Sequence, residues 1–280
     1  MQDYGFEFSC AIQTFAARLM FNGAQFRQNF PETMSSRRFI LLTTICVIQT
    51  VFAHEPEASA PVAQSESEGG ISGHFHGGWA SRYFSEGRDA LDGDSLWVSS
   101  LELAWKNLTS GVWYGRSPDQ DYDELQLSFA ASQSIGDVEF YAAFTHLRTP
   151  FDGLDDKEVG AGFSWAGLPN GIEFTGDVYY SFDAKGSFWE FALNRVFVVS
   201  DELIFHTSGI LGVNQGYVSD GHDGANHLAF RMGSEYAISE SVGITLHLAH
   251  SWALDRDASL PGDSQLIDFS HASLGMQFWF

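Results

Sequence analysis

QLIDFSHASLGMQFWF, residues 265–280, carries the decisive pattern of the chain. From Ala272 onward the apolar residues Ala272, Leu274, Met276, Phe278 and Phe280 fall on alternate positions, and His271, Ser273, Gly275 and Gln277 stand between them. A period of two marks a strand with one apolar and one wetted face, because successive side chains leave the pleat on opposite sides. The alternation runs to Phe280 itself, where a soluble domain ordinarily frays into polar residues.

The same pattern recurs upstream. A first strand expected over 71–84 has Phe75, Trp79 and Tyr83 on one face, with His74, His76, Gly78, Ala80 and Arg82 on the other. A second sets Trp97, Leu101, Leu103 and Trp105 against Ser100, Glu102, Ala104 and Lys106. A tight turn at 107–110 leads to a third strand around 112–116, whose facing the pattern leaves open. The fourth opposes Leu125, Leu127 and Phe129 to Gln126 and Ser128; the fifth opposes Val138, Phe140, Ala142 and Phe144 to Glu139, Tyr141 and Thr145. Further strands over 158–165, 171–182, 188–198, 203–214, 227–236 and 242–252, with the terminal one, bring the expectation to about twelve. An even number of short strands at this spacing reads as an antiparallel barrel and not as βαβ units.

The connections support this. Those after odd strands, at 86–94, 117–123, 148–156, 215–224 and 255–265, are long and acidic, with 183–186 a short exception. Those after even strands, near 107, 135–136, 168–171, 201 and 239, are short. Long loops at one rim and tight turns at the other are expected of a barrel that spans an outer membrane.

Composition agrees: aromatic residues make up 15% of the chain, glycines number 28, and charged residues only 18%. Acids outnumber bases 36 to 14 with no basic stripe, so nucleic acid is not an expected partner. Both cysteines, Cys10 and Cys46, precede the strands, and the residues before Cys46 lack the small side chains of a lipid-attachment signal. Arg37-Arg38 followed by an apolar run to Phe52 has the layout of a secretory signal, with cleavage expected after Ala53 and a poorer option after Ala60. That run is shorter than the roughly 20 apolar residues of a spanning helix. The expected organisation is therefore a leader or upstream mis-start over 1–33, a signal peptide over 34–53, a disordered linker over 54–70 and a barrel over 71–280.

Alternation alone also suits a soluble secreted barrel. Aromatics near strand ends, namely Trp79, Tyr83, Trp97, Trp105, Trp165, Tyr180, Tyr236 and Trp252, fit the two interfacial girdles of a membrane barrel instead. The terminal strand resembles the last strand of bacterial outer-membrane barrels. The resemblance implies that Leu274, Met276, Phe278 and Phe280 form an insertion signal read by the barrel-assembly machinery. Ser81-Arg82-Tyr83-Phe84 with Gly87, and Gly111-Val112-Trp113-Tyr114-Gly115, within 77–115, resemble the TorF-like porins. That resemblance implies an outer-membrane pore and carries over no catalytic residue.

With the apolar face on lipid, the lumen would hold Arg82, Glu102, Lys106, Glu124, Glu139, Glu158, Glu173, Asp177, Glu190, Arg231 and Glu235, with His74, His76, His206, His247 and His271. The acidic excess points to an outer-membrane channel for passive diffusion of small solutes, biased toward cations, in contact with outer-membrane lipids. The competing reading has these groups pair across the interior and close it, leaving a structural or surface-interaction barrel.

The other motifs are weaker. Residues 119–123 imitate a calcium loop, but Glu124 stands where Gly is needed and Ala130 where a bidentate Glu is needed. His74 and His76 share a face whereas His247 and His250 do not, and no metal or cofactor is expected. A lipid hydrolase would need a Ser–His relay. His250 with Ser251, and Ser270 with His271, are neighbours in sequence on opposite faces, so no enzyme is expected.

Overall fold

The computed structural model describes residues 70–280. The expected leader, signal peptide and nearly all of the linker lie outside the described residues. Alternation becomes architecture directly: among the described residues, twelve antiparallel strands close into one barrel. They are β1 (Ser72–Ala80), β4 (Leu96–Trp105), β5 (Leu108–Arg116), β6 (Asp123–Ile135), β7 (Val138–Thr149), β8 (Leu154–Trp165), β9 (Ile172–Ser181), β10 (Gly186–Val198), β11 (Leu203–Gln215), β12 (Gly224–Ser239), β13 (Val242–Ala253) and β14 (Phe269–Trp279). Two further strands, β2 (Phe84–Ser85) and β3 (Arg88–Asp89), pair only with each other.

The ring is shut by β14 lying against β1, with Phe75 opposite Phe278 and His76 opposite Gln277. Phe280 completes the seam, since its N–H donates to the Gly73 carbonyl and its carbonyl accepts from the Gly73 N–H. Closure matters because an unpaired strand edge in hydrocarbon costs several kcal/mol for each amide left unsatisfied. The strands, nine to sixteen residues long, reach or exceed what a tilted strand needs to cross a bilayer.

The outer wall is apolar. Phe129, Phe140, Leu193, Leu246 and Leu274 stand exposed around it, and Phe129 is 63% exposed. In water so continuous an apolar surface would aggregate; against acyl chains it is the expected solvent boundary. Trp97, Tyr180 and Trp252 lie toward the long-loop end of this wall, and Trp105 and Tyr236 toward the short-turn end. At the latter rim Lys106 Nζ lies 4.6 Å from the Trp105 ring centroid and Arg195 Cζ 4.6 Å from that of Phe197. Both cations reach outward from an aromatic footing.

The short turns follow local chemistry. Between β4 and β5 only residues 106–107 intervene, with Lys106 at φ 57, and between β6 and β7 Gly136 at φ 65 makes the turn. At the opposite rim the large loops are residues 81–95, 216–223 and 254–268. One expected long connection shrinks, because β7 and β8 extend until only residues 150–153 join them; the connection expected to be short, between β9 and β10, is residues 182–185. The third barrel strand is settled by register: Val112 is exposed outward, and Trp113 packs inward on Tyr83.

One expectation is corrected here. The first strand ends at Ala80 and does not run to Phe84. Ser81 is bound by Ala272, its N–H donating to the Ala272 carbonyl and its Oγ accepting the Ala272 N–H, after which the chain turns into the barrel. Tyr83 is therefore a buried interior residue and no part of an interfacial girdle.

Candidate functional site

Polar and charged residues line most of the inner face, interrupted by a small apolar cluster of Ala192, Ile210, Ala229 and Phe269, and the acidic and basic side chains occupy different arcs. Glu124 on β6, Glu139 on β7, Glu158 on β8, Glu173 and Asp177 on β9, and Glu190 on β10 share the interior face, as their cross-strand pairing shows. Opposite them in chain order, β11 to β14 and β1 present His206, His227, Arg231, His247, His271, His74 and His76, with Glu235 the acidic exception. Glu102 on β4 lies beside His74 in register, where the arcs meet. Apart from Arg82, which lies in the 81–95 loop, and Lys106, which lies in the β4–β5 turn, the sequence-predicted lumen residues come together as a wall of carboxylates and a wall of imidazoles.

Each wall has its own hydrogen bonding. Tyr141 Oη donates to Asp177 Oδ1 at 2.6 Å, Ser164 Oγ donates to Glu173, and Asp177 stands directly opposite Glu190. The Cβ that Gly162 lacks would collide with Tyr141 and Asp177, so its missing side chain makes room for that bond. On the other wall Gln277 Nε2 donates to Glu235 at 2.9 Å, His74 Nε2 lies 3.2 Å from Gln277 Oε1, and His206 Nε2 lies 3.3 Å from His247 Nδ1. The two imidazoles meet over Gly233, which separates them in the sheet.

The feature that sequence reasoning missed spans these walls. Residues 81–95 do not form a solvated acidic rim; they fold into the lumen as the β2–β3 hairpin. Tyr83 turns toward the carboxylate arc, where its Oη donates to Glu124 Oε2 at 3.0 Å and its ring stacks on Trp113 at 6.2 Å. Tyr122 and Gln126 also donate to that carboxylate. Burial, reinforced by Glu124, pushes the Tyr83 pKa well up, so its hydroxyl remains a neutral donor. Phe84 turns the other way and packs on His227, His271 and Phe269 at 5.5, 5.5 and 5.9 Å, with Arg231 Cζ 4.5 Å from its ring centroid. Consecutive residues thus make the hairpin a crossbar between opposite sides of the barrel. A Glu-Gly turn is the one available signal for it: Glu86 at φ 44 and Gly87 at φ 76 form a two-residue hairpin turn, and Gly87 lies against His227.

Arg82, expected on the lumen face of the first strand, belongs to this loop and pairs with Asp89. Glu158 receives a hydrogen bond from Tyr217 of the 216–223 loop. Arg88 leaves the hairpin on the outer side. Its guanidinium donates to the carbonyls of Gly262 at 2.8 Å and Glu86 at 3.0 Å, to Asn226 Oδ1 at 2.9 Å and to Asp263 Oδ1 at 3.2 Å. Asp263 also accepts from His222 Nδ1 at 2.7 Å, the His222 N–H at 3.2 Å and the Asp257 N–H at 2.9 Å. One buried carboxylate therefore gathers all three long loops. Burial alone would lower the His222 pKa, but the Ala225 carbonyl and Asp263 outweigh it and raise the pKa. Burial alone would raise the Asp263 pKa, but the Asp257 N–H and His222 outweigh it and lower the pKa.

The remaining motifs find other uses. Asp119 accepts from Ser95 Oγ at 2.8 Å as a loop tie, and among the described residues no group of three or more His, Cys, Asp or Glu side chains is placed to hold a metal ion. One member of each adjacent Ser–His pair meets the other across β13 and β14: His250 Nδ1 lies 2.7 Å from Ser270 Oγ on the outer wall, and His250 packs on Trp252 at 4.5 Å. The backbone amides of this pair belong to the β13–β14 ladder. Leu274, Met276, Phe278 and Phe280 all face outward.

No family model matches the chain, and no curated protein matches it by sequence. Among solved structures it is similar to the NanC porin, with 10% identity over 74% of this chain and 98% of that one and a TM-score of 0.51. It also aligns with the KdgM porin (8% identity, 75% and 99% coverage, TM-score 0.49) and with the Acinetobacter baumannii outer membrane protein Omp33 (11%, 76% and 98%, 0.45). The likeness to NanC is one of fold alone, that of the closed antiparallel barrel.

Proposed function

We propose that the protein is an outer-membrane channel for passive diffusion of small solutes, biased toward cations, and not an enzyme. The observation that carries this reading is the unbroken run of inward carboxylates Glu139, Glu158, Glu173, Asp177 and Glu190 on four neighbouring strands. A wall of one sign, enclosed by low-dielectric surroundings, concentrates counter-ions and lowers their entry barrier. The facing wall sets the Arg231 guanidinium against these five carboxylates, so acidic groups remain in excess. Assembly would use the outward terminal residues Leu274, Met276, Phe278 and Phe280 as the insertion signal.

The test is conduction by the purified protein in planar bilayers under a salt gradient. Discrete steps with a cation-selective reversal potential are expected. Replacing Glu139, Glu158 and Glu173 with Gln should bring that potential toward zero. Steps whose ion preference ignores the three substitutions would overturn the cation bias. The second reading, a closed barrel, is favoured by the crossbar in the lumen, and silence in every form of the protein would support it.

A further inference from the structure

We propose that the β2–β3 hairpin is a displaceable gate and that the cluster of Arg88 with Asp263 is its latch; this rests on the channel reading. Three observations carry the idea. First, the hairpin makes ladder bonds only to itself, Phe84 with Asp89 and Ser85 with Arg88, so it can leave the lumen without breaking a barrel strand. Its return segment carries two positive-φ residues, Asp92 at 51° and Gly93 at 101°, where the chain already bends sharply. Second, it reaches from one wall of the lumen to the other: Tyr83 is held by the Glu124 side and Phe84 by the Arg231 side, and the Glu86–Gly87 tip lies by His227.

Third, what holds the hairpin from outside is polar and shared among loops. Arg88 is 5% exposed and Asp263 fully buried, and the same carboxylate binds the 216–223 loop through His222. The 254–268 loop also grips the hairpin's exit, where the Asp89 N–H donates to the Gln265 carbonyl at 3.1 Å and Gln265 Nε2 donates to the Ala90 carbonyl at 3.2 Å. A buried ion pair is a poor glue, because desolvation offsets most of its attraction, but losing one partner is costly. Such a pair suits a device that specifies one seated position and releases when the loops part. The acidic loops over it would then control access to the lumen from the outer face.

The barrel contains no cysteine, so a disulfide can be introduced without competition. In Asp89→Cys/Gln265→Cys the new thiols replace residues joined by a backbone hydrogen bond, a separation that a disulfide can span. In planar bilayers the full chain carrying this pair, with Cys10 and Cys46 replaced by Ser, should conduct when reduced, lose open probability by about tenfold or more on oxidation, and recover with reductant. Arg88→Gln should raise open probability by about tenfold, through loss of the pair that favours the seated state. A third protein, with residues 84–89 replaced by a Gly-Ser-Gly link and its folding checked by heat-dependent migration in detergent gels, should stay open. If the linked protein conducts but neither oxidation nor Arg88→Gln changes open probability, the gate is wrong and the channel stands. If the folded, hairpin-less barrel is silent, the channel reading fails and the gate falls with it.

Discussion

Asp263 illustrates how much one loop carboxylate can organise: it accepts from two side chains and two backbone amides drawn from three loops. Replacing it with Ala leaves the Arg88 guanidinium buried without its counter-charge. A loss of about 3–5 kcal/mol is expected in denaturant unfolding of the detergent-solubilised barrel. The pH dependence has a definite sign. Asp263 has a folded pKa below its ordinary 3.8, so its contribution is present above that value and disappears as pH falls through the depressed pKa. His222 has a folded pKa above its ordinary 6.5, so its contribution is complete below 6.5 and disappears as pH rises through the raised value. The outer loops should therefore be tied most firmly between these limits. Amide exchange at Gly221 and Asp257 should be slowest there, and His222→Gln should remove the alkaline limb of the profile. One inward-facing and one outward-facing glycine make a second residue-scale prediction. A side chain at Gly275 would meet the His76 ring and Thr245 Oγ1, whereas nothing lies within 4 Å of a Cβ at Gly209. Gly275→Val should cost about 1–3 kcal/mol, read as a lower temperature for loss of the detergent-resistant form, and Gly209→Ala should not.

Among the elements, barrel strands were legible and the hairpin was not. Each strand declares itself by alternation because one face meets lipid and the other meets polar neighbours, and a one-residue slip would reverse every side chain. The same alternation misleads at residues 81–84, where Tyr83 continues the apolar series of Phe75 and Trp79 although the strand has ended. What bends the chain is a tertiary contact, Ser81 with Ala272, between residues 191 positions apart. Aromatics that look lipid-facing locally are then buried against Glu124 and Arg231. The Glu86–Gly87 turn gives the element its own test. Gly87 combines φ 76 with a Cβ direction blocked by His227, so Gly87→Val is both strained and obstructed. It should unseat the hairpin while leaving the barrel folded, and limited proteolysis should then cut within residues 84–93, which resist in the wild type.

At the scale of the molecule, an outer wall that is mainly apolar and an inner wall divided by charge arise from one closed sheet. Closure places β6–β10 and β11–β1 on facing arcs, which separates Glu139, Glu158 and Asp177 from His206, Arg231 and His247. A solute between them would experience a transverse field. Zwitterionic solutes with separated charges should therefore permeate faster than neutral ones of equal size in vesicle swelling, and Arg231→Gln should reduce that advantage. The sequence by itself determined the strand period, the even number of strands, their inward carboxylates and imidazoles, and the outward terminal aromatics. These follow from local alternation, which depends only on what each face touches. The tertiary structure alone decided that the acids and bases lie on opposite arcs, that residues 81–95 enter the lumen, and that Arg88 meets Asp263. Those depend on ring closure and on contacts between loops far apart in the chain, for which no short-range pattern of side chains exists.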